Sequence, residues 1–107
     1  MGTDLLQGHL DLLLLSALSR GPCHGYAVAE ALRARSGGVI RLAEGTLYPA
    51  LHRLETQGAL RSRWAVVAGR RRRVYALTST GRRALAREAK GWDLFSSGVR
   101  AVLQQGS

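Results

Sequence analysis

One segment constrains the fold more than any other: AEGTLYPALHRLETQG, residues 43–58. Leu47, Ala50, Leu51 and Leu54 recur at the spacing of a single helix face. Pro49 lacks an N–H, so it fits a helix without loss only in the first turn, where N–H groups have no intrahelical partner. The helix is therefore predicted to begin near Thr46, a good N-cap residue, and to close at Gly58. Pro49, His52, Arg53 and Thr56 lie opposite the apolar stripe. Tyr48 sits on the flank, near the N-terminal end.

Two shorter helices are predicted before it. Leu10, Leu13, Leu14, Ala17 and Leu18 mark one over residues 9–19, ended by Gly21 and Pro22. Val28, Ala29 and Leu32 mark another over residues 24–36, stopped by Gly37-Gly38. The β-branched VIRL, residues 39–42, reads as a minor strand. Beyond Gly58, residues 60–67 and 71–77 read as two strands joined by a turn at Ala68-Gly69. Thr78 then caps a long helix to about Leu103, on which Leu85, Ala89, Trp92, Phe95, Val99 and Val102 recur every three or four residues. The expected fold is mainly α with a small β-hairpin, in the order helix, helix, helix, hairpin, helix.

The chain has 107 residues, 46% of them apolar, which suits one small globular domain rather than a disordered segment. Sixteen basic residues oppose seven acidic ones, for a formal charge of +9. The excess is local. Residues 56–87 hold nine arginines and no acid, whereas the remainder sums to zero. Within that segment Arg70, Arg71, Arg72 and Arg73 are adjacent. Three short helices and a hairpin form the order of a winged helix-turn-helix, in which the third helix enters a major groove and the hairpin flanks it. Strand alternation sends Arg71 and Arg73 one way and Arg70 and Arg72 the other. A ribbon with arginines on both faces suits a groove walled by phosphates. A solvated, charge-bearing loop is the simpler alternative. Thr46, Tyr48 and His52 are the candidates for contact from the third helix. Arg53 could instead pair with a nearby acid.

The last helix outruns so small a body. Its stripe of Trp92, Phe95, Val99 and Val102 predicts a homodimer, with Leu5 and Leu6 joining the interface; packing back on the first helix is the alternative. Cys23 is the only cysteine, so no internal disulfide forms and a reducing cytoplasm is expected. The opening residues do not read as a signal peptide, and the most apolar run, LDLLLLSAL, is far too short to span a membrane. No nucleophile–base pair or Gly-rich phosphate loop is visible, so an enzyme is not expected. Cys23 and His24 are adjacent soft ligands, but zinc spacing is missing. A metal would need a third ligand, such as His9 or a residue of the dimer mate. A buried Cys and a helix-start His are the plainer reading. An RNA- or protein-binding basic module is the rival from another class.

These segments resemble a known family. GHLDLLLLSALSRGPCHGYAVAEAL, EGTLYPALHRLETQGAL, the following Trp64 and RRRRVYALTSTGRRAL together are similar to the PadR-type transcriptional regulators, TLYPALHRLE being the most specific part. The resemblance implies a winged helix-turn-helix over residues 1–78, a dimerisation helix over residues 79–107, and repression at an inverted-repeat operator on double-stranded DNA. It assigns Tyr48 to the tyrosine that approaches DNA, and Arg71 to Arg73 to the basic wing. No cofactor is implied. An effector is: a planar aromatic compound, held in some members against a tryptophan on the last helix, here Trp92. The soft metal ion that Cys23 and His24 would suit is the other candidate effector. His9 stands where the family usually has a small residue.

Overall fold

The computed structural model describes residues 8–105. Leu5 and Leu6, expected at a subunit interface, lie outside the described residues. The elements are α1 (Leu10–Leu18), β1 (Cys23–His24), α2 (Gly25–Arg35), α3 (Glu44–Thr56), β2 (Leu60–Val67), β3 (Arg70–Leu77) and α4 (Ser79–Gln105). This is the expected order of helices and hairpin, with a two-residue strand added. The sheet is antiparallel in the order β1-β3-β2.

The core forms where the apolar stripes meet. Leu14, Leu15 and Leu18 of α1 pack with Val28 of α2, with Leu47, Leu51 and Leu54 of α3, and with Leu60, Tyr75 and Leu77 of the sheet. All four residues of the α3 stripe are buried, Ala50 included. The helix nevertheless starts earlier than its proline suggests. Ala43 is the N-cap, and its carbonyl accepts from the N–H groups of Thr46 (3.0 Å) and Leu47 (2.9 Å). Thr46 is thus the third helical residue, not the cap, and Pro49 the sixth. The proline leaves the carbonyl of Gly45 without its N–H donor four residues on. Gly45 is exposed, so water can take that bond.

VIRL is no strand. Ile40 and Leu42 turn towards the core, but the backbone meets no ladder, and the Ile40 N–H donates to Ser36 Oγ at 2.8 Å. The third strand is β1 instead, where Cys23 pairs with Tyr75 and His24 with Val74.

One corner joins the wing to both long helices. Gly58, at φ +83°, ends α3 in a left-handed turn, and the Ala59 N–H reaches back to the Leu54 carbonyl at 2.9 Å. Thr78 then closes the corner as the cap of α4. Its hydroxyl donates to the Gly58 carbonyl (2.5 Å) and accepts from the Gly81 N–H (3.0 Å). Gly81 lies so close to Ala59 that any Cβ there would collide with the Ala59 carbonyl oxygen. Backbone cannot swing aside as a side-chain tip can. Gly81→Ala is therefore expected to destabilise the domain by about 1–3 kcal/mol, lowering the thermal midpoint by roughly 4–8 °C per kcal/mol. Thermal unfolding followed by circular dichroism checks this; an unchanged midpoint would show that the corner is slack.

α4 has 27 residues, about 40 Å at 1.5 Å per residue. Its first turns touch the core through Ala84 and Leu85, and α1 packs beside it. Beyond that it projects: Leu94, Phe95, Val102 and Leu103 are each more than 60% exposed. Among the described residues no helix is long and apolar enough to cross a membrane.

Candidate nucleic-acid interface

The wing is built from its turn outward. Ala68 and Gly69 both adopt positive φ, +52° and +78°, the mirror-image turn whose twist matches a two-residue hairpin. That turn fixes the register: Val67 faces Arg70, Ala65 faces Arg72, and Trp64 faces Arg73. The four arginines therefore divide as alternation requires. Arg71 and Arg73 share a face with Ser62, Trp64 and Tyr75. Arg70 and Arg72 share the other.

The first of these faces belongs to α3. Glu55 of that helix accepts the Ser62 hydroxyl at 2.5 Å, and the same hydroxyl accepts from Arg73 Nε at 2.8 Å. Arg73 also lies 3.9 Å from Glu55. Trp64 gives both guanidinium groups a platform, with Arg71 at 4.7 Å and Arg73 at 5.4 Å from its ring centre. At an exposed site each such contact is worth about 0.5–1 kcal/mol. The network orders two arginines that would otherwise sweep freely at the wing. Trp64, Ser62 and Glu55 do not stand out in the sequence as a unit. They become one only when the hairpin register places Trp64 opposite Arg73.

The outer side of α3 carries Tyr48, Pro49 and His52, all exposed, while Thr46 is half-buried in the first turn. The Tyr48 ring rests against Gly25, the first residue of α2, so closely that a Cβ at Gly25 would overlap it. Tyr48 is thus positioned by a neighbouring helix and yet 41% exposed. Arg53 is occupied elsewhere. Its two terminal nitrogens hold Asp11 of α1 at 2.6 and 3.2 Å. The hydrogen bonds to Asp11 hold the guanidinium charged and push its pKa up further. Arg53 therefore clamps α3 to α1.

The soft-ligand candidates are divided. Cys23 and His24 are consecutive strand residues, so their side chains leave opposite faces of the sheet. Burial pushes the Cys23 thiol up in pKa. Burial, then the nearby Arg72 charge, pushes His24 down and favours neutral imidazole. His9 stands apart, edge-on to Trp92 of α4 with ring centres 4.9 Å apart. Among the described residues no group of three or more His, Cys, Asp or Glu could hold a metal ion. Trp92 instead borders an open cleft between α1 and α4, lined also by His9, Leu12, Arg87, Glu88 and Phe95.

Comparison with known proteins agrees with this geometry. Residues 14–87 match the family described as Transcriptional regulator PadR-like family. The transcriptional regulator Rv3488 of Mycobacterium tuberculosis is 54% identical over 50 residues, a match covering 47% of each chain. A PadR family transcriptional regulator from Eggerthella lenta is 37% identical, superposes with a TM-score of 0.78, and the match covers 94% of this chain and 86% of that one. A transcriptional regulator from Clostridium thermocellum superposes with a TM-score of 0.84 at 27% identity, covering 92% and 97% of the two chains.

Proposed function

Because the chain belongs to the PadR-like family of transcriptional regulators, and is a regulator rather than an enzyme, we propose that it is a homodimeric repressor that binds an inverted-repeat operator in double-stranded DNA. The observation that carries this reading is the placement of charge. Nine arginines and no acid occupy residues 56–87, six of them in the wing, which packs against α3 through Ser62 and Glu55. In this reading residues 1–78 form the DNA-binding unit and residues 79–107 the dimerisation helix. Each α3 enters a major groove and presents Tyr48 and His52, with Thr46 at its entry. Arg70, Arg71, Arg72 and Arg73 meet the flanking phosphates. Two-fold symmetry of the dimer matches two-fold symmetry of the operator.

The dimer reading is supported by α4. Leu94, Phe95, Val99, Val102 and Leu103 surround Gly98 in one open apolar groove. A glycine inside a helix costs about 1 kcal/mol relative to alanine. It also lets a second helix approach closely. Occupation of the operator by the dimer excludes the transcription machinery.

Release by an effector is supported by the α1–α4 cleft. Trp92 and Phe95 offer aromatic faces there, so a planar aromatic compound suits it better than a soft metal ion. Two measurements test the function. Duplexes captured from genomic DNA should be bound by two chains per inverted repeat, and a single half-site should bind far more weakly. Single-stranded RNA should compete poorly; RNA that outcompetes the duplex would favour a basic RNA-binding module instead.

A further inference from the structure

The sheet has a second face, turned away from α3, and its charge follows a rule. The rungs on that side pair Arg61 with Ala76, Arg63 with Val74, Ala65 with Arg72, and Val67 with Arg70. Each of four successive rungs thus holds one arginine opposite one small apolar residue. Rungs on one face repeat every two residues, about 6.6–6.8 Å along the strands. The line Arg61, Arg63, Arg72, Arg70 therefore runs for about 20 Å, from the base of the wing to its tip, at nearly even intervals. None of the four side chains is hydrogen-bonded or ion-paired among the described residues. This differs from the α3 side, where Arg73 and Arg71 are held by Glu55, Ser62 and Trp64.

A regular row of unpaired guanidinium forks is complementary to a regular row of anions. The step is close to the spacing of successive phosphates along a nucleic-acid strand, and Arg pairs with phosphate through a planar fork. None of the eight rung positions carries an aromatic ring, so the arginine row itself offers no platform for unstacked bases; the ring on this face is His24 of β1, opposite Val74, and it lies parallel to Tyr26 at 6.5 Å. An extended peptide with acids at alternate positions would repeat at the same step, so it is the DNA-binding reading that favours the nucleic-acid strand. We propose that Arg61, Arg63, Arg72 and Arg70 form a rail for the phosphate backbone of duplex DNA outside the stretch read by α3. The tip arginines lead the backbone from the groove onto the back of the wing. Each subunit of the dimer extends its hold beyond its half-site in this way. The inference rests on the DNA-binding reading, and its test separates the two.

The test compares the full-length protein with Arg61→Ala/Arg63→Ala and Arg61→Lys/Arg63→Lys on two duplexes. One is a genomic operator trimmed to the core that α3 and the wing tips protect. The other extends it by about 10 base pairs, one helical turn, at each end. Affinity is measured across a salt series. Both arginines are exposed, so circular dichroism should show all three proteins equally folded. On the extended duplex the alanine variant should lose about 1.8 from the log–log salt slope per subunit, or about 3.6 per dimer. The lysine variant should retain most of the slope, and on the core duplex the three proteins should coincide. Equal slopes on the extended duplex overturn the rail, as does an equal loss on both duplexes. A poly-glutamate chain that displaces wild type but not the alanine variant from the extended arms would also overturn it, in favour of a protein-binding face. If wild type binds the core and the variants do not differ anywhere, the rail fails and the regulator reading stands. If wild type binds neither duplex, both fail.

Discussion

Raising the salt concentration from 50 to 200 mM is expected to lower the affinity of the proposed dimer for its proposed operator by about 10³–10⁵, if roughly 6–10 phosphates are neutralised. The expectation follows from how the charge is mounted. Arg70 and Arg71 stand at an exposed tip beside a tight turn, and no acid lies within residues 56–87 to neutralise them internally. Their mutual repulsion is screened in salt and relieved by phosphate, so counterions condensed on DNA are released when the wing docks. Replacing Arg70 to Arg73 with alanine should therefore weaken binding to every duplex by a similar factor and flatten the salt slope. A mobility-shift series on operator and random duplexes measures both. Loss confined to the operator would mean that these side chains read bases, and a salt-insensitive complex would remove the electrostatic basis of the proposed function.

Phe95→Asp combined with Val99→Asp should convert the proposed dimer to monomers. Phe95 is 61% and Val99 39% exposed in the isolated subunit, so neither change disturbs its core. In a two-fold interface the pair is removed from both chains. Burial of each side chain contributes about 1.5–3 kcal/mol, so the loss is on the order of 6 kcal/mol, a dimer roughly 10⁴-fold weaker before charge repulsion is added. Sedimentation should show half the mass at micromolar concentration, and binding to an inverted repeat should fall to the level of a single half-site. An unchanged mass would assign the α4 groove to another occupant.

The sequence made the periodic parts of this fold legible and hid the parts that depend on pairing. The stripe of Leu47, Ala50, Leu51 and Leu54 could be read directly, because helix burial follows 3.6-residue spacing. Thr78 could be read as a cap because its hydroxyl acts on neighbours three residues away. The start of α3 was misplaced by three residues at its cap, since an exposed Gly45 carbonyl tolerates Pro49 deeper than the first turn. The strand at Cys23–His24 was invisible and the one at VIRL illusory for one reason. A short extended segment becomes a strand only when a partner lies alongside, and Tyr75 and Val74 reach β1 rather than residues 39–42. The site followed the same division. The arginine run and Tyr48 announce themselves. The assembly of Trp64, Glu55 and Ser62, and the alignment of Arg61 with Arg72, exist only in the register of the hairpin.

The corner at Ala59, Thr78 and Gly81 has a mechanical meaning. α4 leaves it as one unbroken rod, pinned where backbone touches backbone. A tilt of about 5° about that pin moves the far end of a 27-residue helix by about 3.5 Å. In the proposed dimer, small adjustments beside Trp92, near the middle of the rod, would therefore be geared into larger changes in the separation of two wings carried on a shared pair of levers.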